Sequence, residues 1–208
     1  MDHSSCQATR LPCNKGRICG QKRPVKREHI WVIRIRLELA GRLRDLALFS
    51  LGRDSELRSC DLVRLRVRDV MHVGHVLPRA MLIQSKTRRP VQFELTEATR
   101  TAVAMWVGTT ALAPSGHLFP SRLSDPPHLS TRQYAPLLKG WLHQIALDAA
   151  EYGTHSIRRT KATMIYRQTR NPRAVPLLLG DTRLESTSGT SASRLLTPCV
   201  WPNRPTSE

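Results

Sequence analysis

The chain has 208 residues, enough for one sizeable core or one domain with ragged ends, and its 33 Lys+Arg against 16 Asp+Glu give a formal charge of +17. That surplus implies a polyanionic partner, most simply nucleic acid, while no apolar run approaches the ~20 residues of a bilayer-spanning helix and neither a secretion nor a lipidation signal is visible. The cysteines Cys6, Cys13, Cys19, Cys60 and Cys199 are odd in number and lack paired Cys-x-x-Cys knuckles, which argues against a disulfide framework and against a zinc site.

Residues 1 to about 26 are polar, basic and without hydrophobic period, and the expected reading is a disordered arm over 1–29 that touches phosphate. From Ile30 the pattern changes. Trp31, Ile33, Leu37, Leu39 and Ala40, then Leu43, Leu46, Ala47 and Phe49, fit two consecutive helices broken near Gly41. Leu57, Leu62, Val63 and Leu65 predict a third helix over 57–65, with Arg58 and Asp61 as polar neighbours at three-residue spacing. Val67–Val70 leads into a β region: strands are expected around His75–Leu77, Ala80–Gln84 and Val91–Leu95, the last alternating apolar and polar. Between the second and third of these lies Ser85-Lys86-Thr87-Arg88-Arg89-Pro90, a hairpin tip with three positive charges. Thr96 is placed to cap a helix through Trp106, and Ser130-Thr131 to open another running to about Leu147. Turn chemistry marks Ala113–His117 and the Pro-rich stretch around Asp125-Pro126-Pro127.

The chain then reaches Gly153-Thr154-His155-Ser156-Ile157-Arg158-Arg159-Thr160. If the run that follows is helical, His155 and Arg158 project from one face of its first turn, where backbone N–H groups add positive field. An imidazole and a guanidinium held there suit a phosphate, although the pattern alone fits a solvated basic helix start equally well. Pro172–Leu179 reads as a short helix closed by Gly180, and beyond Ser186 no period survives.

Taken as a set, Arg58, Asp61, Lys86, His155 and Arg158 resemble the catalytic domain of the tyrosine recombinases, the phage integrase family. Leu57–Leu62 matches the first-arginine motif, Lys86 stands at the hairpin tip, His155-Ser156-Ile157-Arg158 matches the His-x-x-Arg box, and Leu177–Thr182 is similar to the Leu-Gly-His box with Asp181 at the His or Trp position. The resemblance covers residues 30–187 and implies an α+β fold, mainly helical, with a small antiparallel β-sheet. It implies that Arg58 and Arg158 clamp non-bridging phosphate oxygens, that Lys86 protonates the leaving 5′ oxygen, and that His155 manages the nucleophile's proton. Arg88, Arg89 and Arg159 are expected on the DNA backbone. For Asp61 two roles stay open: orienting an arginine, or an ordinary helix partner of Arg58 or Arg64; Lys86 likewise reads as a site residue or a solvated turn residue.

Two departures from the family pattern stand out. An ionised Asp181 repels phosphate where a donor is expected, and no tyrosine follows Tyr166, so the family's nucleophile is absent. The resemblance implies Val-Arg-Tyr-Leu-Gly-Ile-Glu after Thr187. With suitable third bases, the codons of Thr187–Arg194 encode that stretch one frame over, the tyrosine codon straddling Gly189 and Thr190. Residues 188–208 are therefore expected to be a disordered, frameshifted tail, and the family's separate N-terminal DNA-clamping domain is not expected within the roughly 29 residues before the core. The expected protein binds duplex DNA, needs no cofactor or metal, takes no small-molecule substrate, touches no membrane, leaves room for a homo-oligomer on DNA, and resides in the cytoplasm at the nucleoid. The alternative is a non-catalytic basic DNA-binding module or dominant-negative partner. RNA binding is disfavoured because aromatics are only 5% and none interleaves with basic residues for stacking.

Overall fold

The computed structural model describes residues 22–121 and 127–170. The organising element is α2 (Leu43–Asp54), in which nine residues are buried: Asp45 to Gly52 without interruption, and Asp54. A helix buried on nearly every side belongs at the centre, and α2 packs against α1 (Arg27–Leu39), α5 (Glu97–Thr110) and α7 (Thr154–Thr169). α1 turns Ile30, Ile33 and Leu37 inward and ends at Gly41, whose φ of +62° needs no Cβ to be accommodated. α6 (Thr131–His143) starts on a capping box of Ser130 and Gln133 and brings Tyr134, Leu138, Trp141 and Leu142 into the core. Trp141 meets Phe49 edge-on, with ring centroids 5.5 Å apart.

Polar groups fix how these helices meet. Asp54, at the end of α2, accepts from Thr96 N, Thr96 Oγ1 and Thr99 Oγ1 at 3.0, 2.7 and 2.6 Å. One buried carboxylate thus joins α2 to the capped start of α5, where Thr96 also accepts from Thr99 N.

The fold is α+β and mainly helical, as expected, and its small antiparallel β structure consists of two ribbons. β1 (Met71–His72) pairs with β2 (His75–Val76) around Val73-Gly74, both at positive φ, and β3 (Arg79–Ile83) pairs with β4 (Pro90–Glu94). Ala80 and Phe93 face the core and Met81 faces solvent.

Three expectations need correction. The helix expected over 57–65 is a single turn, α3 (Ser59–Leu62), although Leu57, Leu62, Val63 and Leu65 are all buried as their pattern implied. Helical progress from α2 stops at Glu56, which is left-handed at φ +53°, and Arg58 is extended. Val67–Val70 is likewise a helical turn, α4, ahead of β1, which the sequence reading missed. The third correction concerns the arm: Arg27, Glu28 and His29 form the first turn of α1, and Val25 is buried with its N–H on Thr160 Oγ1 at 3.2 Å. The chain before α1 is therefore stapled from Lys22 onward to α7, through Thr160 and Arg159, and to Ala150 just ahead of it. Residues 1–21, the expected helix over 172–179, Asp181 and the expected tail over 188–208 lie outside the described residues.

Candidate functional site

α7 supplies the first half of the site. Ser156, Ile157, Thr160 and Ala162 are buried, which fixes the helix rotation and leaves His155, Arg158 and Arg159 on the sides away from the core. The helix start is closed by Gly153 N donating to Ser156 Oγ at 3.1 Å. Arg158 is half-buried, and its Nε donates to the backbone oxygen of Glu56 at 2.7 Å. That carbonyl is presented by the left-handed backbone of Glu56, a conformation that costs a non-glycine residue roughly 1 kcal/mol or more. Two residues on, Arg58 leaves the extended N-cap position of α3.

The second half is the β3–β4 hairpin. Arg58 Nη1 donates to Gln84 Oε1 at 2.6 Å, and Thr87 Oγ1 donates to the same oxygen at 2.8 Å. Gln84 also closes the tip through its backbone, donating to Arg89 O and accepting from Arg88 N, both at 2.9 Å. Lys86, Arg88 and Arg89 are exposed at that tip, Arg88 at φ +56°. Asp61 is buried and Oδ1 accepts from Ser85 N at 2.9 Å. Neither expected role for Asp61 holds, since among the described residues it pairs with no arginine. It anchors the base of the lysine hairpin instead.

The field in this corner is strongly positive. Burial lowers the pKa of His155, and the guanidinium groups of Arg158, Arg159 and Arg58 lower it further. Arg58 and Arg158, a hundred residues apart in sequence, thus both act electrostatically on one imidazole and favour its uncharged form. Behind them sits Glu56, buried, with neither carboxylate oxygen hydrogen-bonded. Desolvation pushes its pKa up to about 7, against the pull of Lys161 and Arg158, with Asp54 adding to the rise. Lys161 itself donates to Asp54 O at 2.9 Å. Arg159 turns elsewhere, donating to His155 O at 3.4 Å and to Lys22 O.

Arg58 and Arg158 thus lie in one positive corner with His155, and the hairpin that carries Lys86 at its tip is tied to Arg58 through Gln84. Two fixed forks and an imidazole suit a tetrahedral oxyanion. Tyr134 and Tyr152 are buried and Tyr166 lies farther along α7. No group of three metal-ligating side chains occurs among the described residues. Sequence reasoning missed Gln84, Glu56 and Lys161. Gln84 did carry a signal, because alternation from Ala80 and Leu82 puts it on the inward face of β3, where a polar residue needs partners.

A family model described as the phage integrase family matches residues 36–190. A search of the curated proteins found no match. Among solved structures, the XerA recombinase superposes with a TM-score of 0.64 at 14% identity, covering 79% of this chain and 56% of that one. The XerH site-specific recombinase bound to palindromic difH substrate, in a post-cleavage complex, gives 0.64 at 15% identity, covering 80% and 48%. The integrase from mycobacterium phage Brujita gives 0.58 at 16%, covering 77% and 50%. At these identities the likeness is one of fold, and the chain spans about half the length of those structures.

Proposed function

The chain belongs to the phage integrase family, and from that premise we propose that it is a duplex-DNA-binding domain of site-specific recombination whose own strand cleavage is lost. The observation that carries the reading is the positive corner in which Arg58 and Arg158 act on His155, with the Lys86 hairpin tied to Arg58 through Gln84 and to Asp61 through Ser85. The XerH recombinase bound to its palindromic difH substrate and the lambda integrase bound to DNA, both similar in fold, support DNA as the partner. Within this reading residues 27–187 form the integrase catalytic-like domain and 188–208 a tail translated out of frame. A homo-oligomer on DNA at the nucleoid goes with the same reading.

The mechanism follows from charge. Phosphoryl transfer from DNA passes through a phosphorane with added negative charge on its non-bridging oxygens. Arg58 and Arg158 face those oxygens as donor forks, already in place before charge develops. A nucleophilic hydroxyl gives its proton to His155 as its oxygen bonds to phosphorus. The bond to the 5′ oxygen breaks as Lys86 donates a proton to it.

What this chain lacks is the hydroxyl. Its three tyrosines are Tyr134, Tyr152 and Tyr166. The first two are 1% and 8% exposed, buried in packing. Tyr166 is eight residues past Arg158 on the same helix, about 12 Å farther along its axis, too far to serve a phosphate held at Arg158.

The test uses one nicked duplex substrate and three proteins: the chain as it stands, a version with the frame restored through Gly189-Thr190, and that version carrying Asp181→His. The first should bind without forming a covalent adduct. The second should form one through the restored tyrosine, and the third should raise it by ~10–1000-fold, as for other donors to a developing oxyanion. An adduct from the unaltered chain contradicts the loss of cleavage. Equal inactivity of all three, each folded, contradicts the assignment of the site.

A further inference from the structure

We propose that Gln84 is a positioning residue that couples the lysine hairpin to Arg58, holding the guanidinium without cancelling its charge. The inference rests on the phosphate-site reading above and adds to it the residue that sets the geometry. Gln84 is only 2% exposed, yet it follows Ile83, which is 65% exposed, so the strand turns one polar side chain inward just before the charged tip. Its side-chain oxygen receives Arg58 Nη1 at 2.6 Å and Thr87 Oγ1 at 2.8 Å. A guanidinium only donates, so the atom facing Arg58 must be the amide oxygen and the orientation of the amide is settled by its partner. The backbone of the same residue bonds to both Arg88 and Arg89 at 2.9 Å. Gln84 thus touches Arg58 on one side and three of the five residues that follow it on the other. With the Asp61–Ser85 bond at 2.9 Å, it leaves Lys86 at the end of a tip braced on both flanks.

The choice of amide over carboxylate has a physical reason. A glutamate here would accept the same two bonds but would form an ion pair with Arg58. One of the positive charges available to a phosphate would then be compensated inside the protein. A neutral oxygen orients the fork and leaves its field directed outward. Gln84 and Asp61 divide the work accordingly: the buried carboxylate is kept on a backbone N–H, and the neutral amide is placed against the arginine.

The experiment measures affinity for short duplex DNA with the whole chain and follows unfolding and hairpin amide exchange in parallel. Gln84→Met keeps the length and removes the acceptor; Gln84→Glu keeps the acceptor and adds charge. Lys86→Ala is made in each background. In the unaltered chain Lys86→Ala should weaken binding by ~5–10-fold, and in the Gln84→Met background by less than ~2-fold, because the lysine is no longer held at the phosphate. Gln84→Met should also speed exchange at Thr87 and Arg88 while the α2 amides stay protected. Gln84→Glu should keep that protection and still lose affinity. Purely additive effects of Gln84→Met and Lys86→Ala, or full affinity in Gln84→Glu, overturn the proposal. If Arg58→Ala and Arg158→Ala leave affinity unchanged, the phosphate-site reading itself fails, which the Gln84 variants alone cannot produce. A Gln84→Met chain that does not fold transfers the decision to Gln84→Glu, whose retained bonds make its affinity the deciding measurement.

Discussion

Glu56 shows most sharply how one residue carries opposing demands. Its backbone carbonyl holds Arg158 Nε at 2.7 Å, while its carboxyl is buried with no hydrogen-bond partner. Burial raises the pKa from 4.5 to about 7, so the folded chain binds a proton there that the unfolded chain releases. The sign follows directly. Stability from this group is fully present below about pH 4.5 and is lost as pH rises to about 7, a change on the order of 3 kcal/mol at most. Glu56→Gln should flatten that slope, read as denaturant midpoints across the same pH range. Parallel slopes in the two proteins would show that the carboxyl finds compensation in solution.

At the scale of elements, the site depends on how closely α2 meets α7. Gly52 lies where the two helices and α6 converge: a Cβ there would stand 3.1 Å from both Leu62 Cδ2 and Tyr134 OH, and 3.5 Å from Ile157 Cγ2. Leu62, Tyr134 and Ile157 are each 1% exposed and have little room to yield. Gly52→Ala gains helix propensity of about 1 kcal/mol but forces an overpacked junction, and the net expectation is destabilisation by ~1–2 kcal/mol. Because Ile157 is the residue before Arg158, DNA affinity should fall alongside thermal stability. A more stable Gly52→Ala protein would mean that the helices separate easily.

The same elements mark how far the sequence could be read. The helix faces, the Gly41 break, the Thr96 and Ser130 caps and the lysine hairpin all rest on local patterns, and those patterns survive in the structure. The partner of Asp61 did not, because its spacing to Arg58 and Arg64 matches a helix pair while the bond runs across the fold to Ser85. A helix over 57–65 failed for a related reason: burial of Leu57 and Leu65 is satisfied by neighbours distant in sequence, without a helical period. The separation of the β structure into two ribbons is also set by tertiary packing. Arg58, His155 and Arg158 could be grouped only through the family resemblance, since nothing local links residue 58 to residue 155.

For the whole molecule, a charge of +17 alone predicts DNA binding that weakens steeply with salt, with a slope of roughly −0.9 per phosphate contacted. Such binding does not distinguish a phosphate site from a diffuse basic surface. The decisive measurement compares two charge-matched double variants over a salt series: Arg58→Ala with Arg158→Ala, and Arg36→Ala with Arg132→Ala, the latter pair exposed on α1 and α6. If the chain grips DNA through the site, the first pair should lose on the order of 100-fold in affinity and ~2 units of salt slope, and the second pair under ~10-fold. Equal losses from the two pairs, with both proteins folded, would contradict the account.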